Sequence, residues 1–319
     1  MLLLIINIAF FLSAFVGVFL IGDRLTFYAK ALSKVSNLGE AFIGTVLIAT
    51  ITSLPELSSG FSAIFIAHNP ELMVADVFGS NFFNITILWS ILVYIIIIKK
   101  KISRPSKEHN GTILLYSTVP LLLVVLYFTP FRSLGGLSIP TILFILLLPL
   151  VFKLYGRLES GGQSDFELPD KYKHLNKKKI IWIFVGLAML IICLGIILGK
   201  TSDFIARYEF SFNGKPFIMG SSFVGALFLA ISTSLPEVAV TFHSIFKYRS
   251  IDLAYGNILG SNLFNVIIFV IGDIFTFKTP LIATLGFGNR VVLSALFISS
   301  ILFVMQERLP RWLKISFAV

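Results

Sequence analysis

Residues 52–56 read TSLPE and residues 79–84 read GSNFFN; residues 233–237 read TSLPE again and residues 260–265 read GSNLFN. The copies stand 181 residues apart. That offset holds without a gap from 41–88 to 222–269, with 18 of 48 positions identical. Each copy is an apolar stretch broken at Leu-Pro-Glu, a short polar loop, and a second apolar stretch. Five apolar stretches separate the start of one copy from the start of the other. Five is odd, so if each stretch crosses a bilayer, the two copies cross it in opposite directions. Inverted repeats with broken helices are a transporter architecture, with sites near the midplane.

The rest of the chain agrees with a bilayer. Of its 319 residues, 56% are hydrophobic and 13% charged, and mean hydropathy is +0.93. Soluble domains carry about 25% charge, so disorder, a fibre and a soluble globular enzyme are excluded. A hydrocarbon core about 30 Å thick needs roughly 20 helical residues. Spans are expected near 3–22, 41–67, 72–98, 113–129, 137–155, 180–199, 218–246, 252–275 and 288–306. A tenth begins at Leu309 and is cut short at Val319, so this chain carries it truncated or lacks it. The expected fold is an all-α membrane protein of about ten transmembrane helices in two inverted five-helix repeats. The halves are 1–155 and 180–319, joined by the polar linker 156–179. The N-terminus lacks a basic flank and a small-residue cleavage site, so it reads as the first span, not a removed signal.

The net charge of +10 would suggest nucleic acid in a soluble protein. Here the basic residues lie in short loops and report topology. With the N-terminus outside, 20 of the 26 Lys and Arg fall inside, including those of the 156–179 linker. Cys193, the one cysteine, excludes an intrachain disulfide and a cysteine metal site.

Two carboxylates carry the chemistry. Glu56 and Glu237 occupy matching mid-span positions, where an acid costs about 2.5–3.5 kcal/mol on insertion scales. Each follows a proline, which has no N–H for the carbonyl four residues back, so the Ile51 and Ser232 carbonyls lose a helical partner. Thr52, Ser53, Thr233 and Ser234 add hydroxyls beside each break. Ser80 and Asn84 are four apart on one helix face, as are Ser261 and Asn265. The pooled set is all oxygen, without His or Cys. It suits Ca²⁺ or Na⁺ and serves Mg²⁺ less well, because Mg²⁺ keeps its waters. Glycine and serine shared by the repeats, Gly44, Gly79, Gly225 and Gly260 among them, are accounted for by close helix packing in lipid. Packing does not account for two carboxylates.

At these residues the sequence resembles the sodium/calcium exchanger branch of the cation/Ca²⁺ exchanger superfamily. The resemblance implies two inverted five-helix halves with four broken-helix segments around the ions. It implies that Glu56 and Glu237 ligate Ca²⁺ with the Thr52 and Thr233 backbone carbonyls. It implies that Ser53, Ser80, Ser234 and Ser261 form flanking Na⁺ sites with the Ala49 and Ala230 carbonyls, and that Asn84 and Asn265 line the centre. The first helix of each half would slide against the core. The chain departs from the family pattern in four places. Ile51 and Ser232 stand where Gly usually precedes TSLPE, and Ala75-Asp76 stands where the second copy keeps Gly256-Asn257. Asn265, where the potassium-dependent branch has an acid, argues against that branch.

Asp76 has two readings: a third carboxylate on the ion path, or an acid at the outer end or first turn of its helix, favoured there by the dipole. Asp273 reads as interfacial. His243 reads as a partnered histidine, although its ordinary titration range keeps proton coupling open. The function expected is secondary antiport of cations, Na⁺ against Ca²⁺, with Ca²⁺/H⁺ exchange, or exchange of another divalent cation, on the same fold as the alternative. A channel needs weak, continuous sites, and an intramembrane protease has no use for the symmetric Ser/Thr/Asn surround. No nucleotide motif or serine triad supports an enzyme. Expected partners are the ions and the lipid bilayer, with no cofactor, nucleic acid or obligate protein partner. The expected location is a prokaryotic plasma (inner) membrane.

Overall fold

A computed structural model describes residues 1–66, 68–98, 133–134, 136–159, 169, 172, 175–212, 215–218, 228, 230–276, 280–284 and 287–304. The expected span 113–129, most of the linker and the segment from Leu309 lie outside the described residues.

The chain begins with α1 (Leu2–Ser36), which runs well past the expected span end at residue 22. It stops at Asn37, whose φ of 61° is the left-handed geometry that ends helices and that asparagine tolerates. The first copy follows as a helix in pieces. It comprises α2 (Glu40–Phe42), a wider π-type turn (Ile43–Ile48), α3 (Ala49–Thr52) and α4 (Leu54–Phe65). Then come α5 (Pro70–Ile98), the short hairpin β1 (Ser133–Leu134) and β2 (Leu137–Ser138), and α6 (Ile139–Glu159).

The second half opens with α7 (Lys177–Arg207), capped by Asn176, whose side chain accepts from Lys179 N at 2.9 Å. A hairpin of β3 (Glu209–Phe212) and β4 (Lys215–Ile218) follows. Residues 230–233 are helical, and after Ser234 come α8 (Leu235–Phe246), α9 (Ile251–Phe275) and α10 (Phe287–Val304).

Among the described residues five stretches are long and apolar enough to cross a membrane: Leu2–Ser36, Glu40–Phe65, Pro70–Ile91, Lys177–Ile205 and Ile251–Phe275. The all-α membrane fold stands, with two departures. Ile218, placed at the start of a span, lies in strand β4, where antiparallel pairing with Glu209 of β3 holds it extended. The linker is not wholly free of the core. α6 continues to Glu159, and Tyr172 packs its ring 4.9 Å from that of Phe27.

Helices α5 and α9 cross at the centre. Their core holds Phe78, Trp89, Tyr255 and Phe269, all buried. The pieces α2 to α3 lie on α9, where glycine allows backbones to touch. A Cβ on Gly44 would stand 2.7 Å from the Leu253 carbonyl oxygen, and one on Gly260 would strike the Thr45 carbonyl oxygen. Helices α1 and α7 pack together on the flank around Val18, Leu25, Ile191 and Leu198. Leu2, Leu3, Leu20, Trp182, Met189 and Leu190 are exposed on their outer sides, the surface a bilayer would cover. Cys193 is exposed on the same helix.

Asp273 is not interfacial. It is fully buried and accepts from Ser138 N, Ser138 Oγ and Leu281 N, each at 2.7 Å. Three donors converging on one carboxylate replace its lost water. They fasten β2 and the 281–284 turn to the end of α9.

Candidate ion-binding centre

The two helix breaks have the same geometry. Ser53 has φ −91° and ψ 5°; Ser234 has φ −83° and ψ 6°. Both angle pairs fall in the bridge region, which starts a new helical axis without a long loop. Pro55 and Pro236 then occupy the first turns of α4 and α8, where a missing N–H does no harm. The following residue is glutamate in each case. Glu56 and Glu237 are both fully buried.

The repeats hold each other's acids. Ser53 Oγ donates to Glu237 Oε1 at 3.0 Å, and Ser234 Oγ donates to Glu56 Oε1 at 3.1 Å. Ser261 Oγ adds a bond to Glu237 Oε1 at 3.2 Å, and Ser80 Oγ donates to the Ala230 carbonyl at 3.5 Å. The Ala230 carbonyl also receives Ser234 N at 3.1 Å, and the Ala49 carbonyl receives Ser53 N at 3.1 Å. Thr52 Oγ1 adds a longer bond to the Ala49 carbonyl at 3.4 Å, and Thr233 Oγ1 adds one to the Ala230 carbonyl at 3.1 Å, so hydroxyls that can rotate aside share both oxygens with the backbone.

The amides cross in the same way. Asn84 Nδ2 donates to Asn262 Oδ1 at 3.0 Å, and Asn265 Nδ2 donates to Asn81 Oδ1 at 2.9 Å. With both donors tied outward, Asn84 Oδ1 and Asn265 Oδ1 have no hydrogen-bond partner, nor do Glu56 Oε2 and Glu237 Oε2. Four buried acceptor oxygens without a donor are costly unless something positive meets them. Asn81 and Asn262 were not singled out in the sequence, though their identity in both copies of GSN was a signal for them.

Thr52 and Thr233 are fully buried and turn their hydroxyls to the other half. Thr52 Oγ1 donates to Asn257 Oδ1 at 3.3 Å, and Thr233 Oγ1 donates to Asp76 Oδ1 at 3.2 Å. Asp76 is 2% exposed and lies in the second turn of α5, so it is neither interfacial nor a first-turn acid. It stands one turn before Ser80, beside the centre.

A cavity of about 300 Å³ leads towards this side of the centre. Ser58, Ser59 and Ser62 of α4 and Gly199, Asp203 and Arg207 of α7 line it. The corresponding crevice between α1 and α8 is filled. A Cβ on Gly22 would stand 3.0 Å from that of Ala239. His243 Nε2 bonds the Phe19 carbonyl at 2.9 Å and its Nδ1 stands 3.8 Å from Asp23 Oδ1, so it is a partnered histidine held against α1. Asp23 receives Lys247 Nζ at 2.5 Å and the Tyr248 hydroxyl at 2.9 Å. Burial first, and then the Asp23 carboxylate, hold the Tyr248 phenol above its ordinary value, so it stays a neutral donor. Lys30 adds a bridge to Glu40 at 3.3 Å and donates to the Tyr248 carbonyl at 3.1 Å.

Three comparisons bear on what such a centre is. Residues 6–155 and 179–319 match a family described as "Sodium/calcium exchanger protein". The Inner membrane protein YrbG of Escherichia coli (strain K12) is 27% identical over 77% of this chain and 72% of its own. The Putative antiporter CaxA of Alkalimonas amylolytica is 23% identical over 77% and 73%. A solved structure of the sodium-calcium exchanger NCX_Mj, soaked with 2.5 mM Na⁺ and 0.1 mM Sr²⁺, matches with a TM-score of 0.66 and 20% identity. It covers 99% of this chain and 96% of that one.

Proposed function

Because the chain belongs to the sodium/calcium exchanger family, a family of transporters and not enzymes, we propose that it exchanges Na⁺ for Ca²⁺ by alternating access. The observation that carries this reading is the set of four buried, unpartnered oxygens on Glu56, Glu237, Asn84 and Asn265. Two carboxylates balance one Ca²⁺, whose flexible oxygen cage such a set can supply. The Thr52 and Thr233 carbonyls complete the cage. Ser53, Ser80, Ser234, Ser261 and the Ala49 and Ala230 carbonyls offer flanking Na⁺ sites.

Coupling follows from competition. The same carboxylates cannot hold Ca²⁺ and a full Na⁺ set together. An empty centre has bare charges that resist crossing a dry interior. The halves 1–155 and 180–319 act as two inverted units joined by 156–179. The basic-residue bias puts the N-terminus and the end of α7 outside, so the 300 Å³ cavity is the external access path and the α1–α8 contact is the closed internal one. A prokaryotic inner membrane suits this arrangement.

The test is ⁴⁵Ca²⁺ uptake into proteoliposomes under an outward Na⁺ gradient or a proton gradient. Na⁺-loaded vesicles are expected to take up Ca²⁺. The double variant Glu56→Gln, Glu237→Gln is expected to lose at least about tenfold, the effect of roughly 1.4 kcal/mol of lost ion binding. Uptake driven by protons alone would overturn Na⁺ coupling in favour of Ca²⁺/H⁺ exchange.

A further inference from the structure

The two repeats differ where Asp76 stands. Adding 181 to its number gives Asn257, and the two residues share one half of their bonding. Asn257 Oδ1 accepts from Thr52, and Asp76 Oδ1 accepts from Thr233, 181 residues after Thr52. The other half differs. Asn257 Nδ2 donates to the Glu237 carbonyl at 3.1 Å and to Thr241 Oγ1 at 3.0 Å. The residues that correspond to those two partners are Glu56 and Gly60. An asparagine has a donor to offer there, and an aspartate carboxylate is acceptor only. Asp76 Oδ2 has no hydrogen-bond partner although Asp76 is buried. The first repeat therefore sets a carboxylate oxygen where the second sets the N–H that satisfies a glutamate carbonyl.

A second difference lies beside it. Val240, fully buried in the second repeat, corresponds to Ser59. Ser59 lines the access cavity, and its hydroxyl also approaches the Asp76 carboxylate. The first repeat has thus gained a hydroxyl on the cavity wall and, behind it, a buried carboxylate that the hydroxyl approaches. Met73 crowds the Gly60 position, where a Cβ would stand 3.1 Å from its side chain, so position 60 itself offers no hydroxyl in place of that of Thr241.

We propose that Asp76, with Ser59, the Thr233 hydroxyl and the Glu56 backbone carbonyl, forms a monovalent-cation site, one for Na⁺, that the second repeat does not have. The inference rests on the exchanger reading and adds a site to it. One negative charge and a few neutral oxygens match Na⁺, whereas Ca²⁺ takes six to eight oxygens and two charges' worth of balance. The site lies between the cavity and Ser80, which is four residues on along α5. It is filled from the cavity side before ions reach the Glu56–Glu237 pair, and its occupant neutralises the third carboxylate when the path closes. Na⁺ dependence is therefore steeper than the symmetric set alone would give.

The experiment compares the wild type with Asp76→Asn and Ser59→Val, each of which copies the second repeat. Purified protein is titrated with Na⁺ while its thermal midpoint is read, and ⁴⁵Ca²⁺ uptake into proteoliposomes is measured against Na⁺ at pH 8. Asp76→Asn is expected to raise the Na⁺ midpoint at least fivefold in both assays and to lower the Hill coefficient by about one. Ser59→Val is expected to raise the midpoint by about twofold with the steepness kept. If the wild type shows no Na⁺-driven uptake, the exchanger reading fails and this inference with it. If the wild type transports and both variants titrate as it does, the additional site alone is overturned. If Asp76→Asn and wild type coincide at pH 8 and part only in acid, a proton occupies that oxygen and the Na⁺ site is overturned. Should Asp76→Asn fail to fold, an unchanged Na⁺ midpoint in Ser59→Val overturns the site.

Discussion

At the scale of the residue, the centre is built by exchange between the repeats. Each glutamate takes a serine from the other half, and each central asparagine is turned by an asparagine from the other half. The second set of partners orients the first, as supporting side chains do around metal ligands. Asn262→Leu removes the acceptor of the Asn84 amide and frees Asn84 Oδ1 to swing away. The half-saturating Ca²⁺ in Na⁺-driven uptake is expected to rise about tenfold, the lower end of what such supporting residues contribute, with the thermal midpoint little changed. The sequence named Glu56, Glu237, Asn84 and Asn265 by their repetition. It could not name Ser59, which matches valine in the other copy and carries no signal of its own. Nor could it choose between the readings of Asp76, because depth in a helix does not say which neighbours a side chain meets.

At the scale of the element, the broken helix is the working part. The proline after Thr-Ser-Leu fixes where α4 and α8 begin, and that much was legible from TSLPE. The π-type turn at Ile43–Ile48 was not. No residue in IGTVLI dictates it, and it exists because α2 and α3 must lie against glycines of α9. Gly260→Ala puts a methyl against the Thr45 carbonyl oxygen, which belongs to backbone and cannot rotate aside. That change is expected to destabilise the protein by about 1–3 kcal/mol, as overpacked cores do, read as a lower thermal midpoint in detergent. Gly186→Ala is the control. Nothing lies within 4 Å of its added methyl, so it is expected to leave the midpoint equal or raise it slightly, given the helix propensity of alanine.

At the scale of the whole molecule, the two halves are alike in sequence and unlike in closure. His243 and Lys247, which meet α1 at Phe19 and Asp23, correspond to Ser62 and Ile66. On the α4 side Arg207 instead pairs within its own helix, with Asp203 at 2.8 Å. Ionic contacts thus bind α1 to α8, while the α4–α7 crevice has the cavity. Asp23→Asn is expected to weaken the filled side. In a Cys193→Ser background, maleimide labelling of Val240→Cys, the counterpart of cavity-lining Ser59, is expected to quicken about threefold to fivefold. That matches the loss of roughly 1 kcal/mol from a half-exposed ion pair.

The sequence by itself determined the membrane setting, the two-copy plan, the break positions and the acids. Those follow from hydropathy, spacing and the covalent chemistry of proline, which need no tertiary contact. Only the tertiary structure decided that Asp273 is an anchor, that His243 serves α1, that Ile218 lies in a strand, and that Asp76 faces Thr233. It alone decided which crevice is filled. Each of these depends on what lies across a contact between segments far apart in the chain, and one segment's pattern carries no record of its partner's surface.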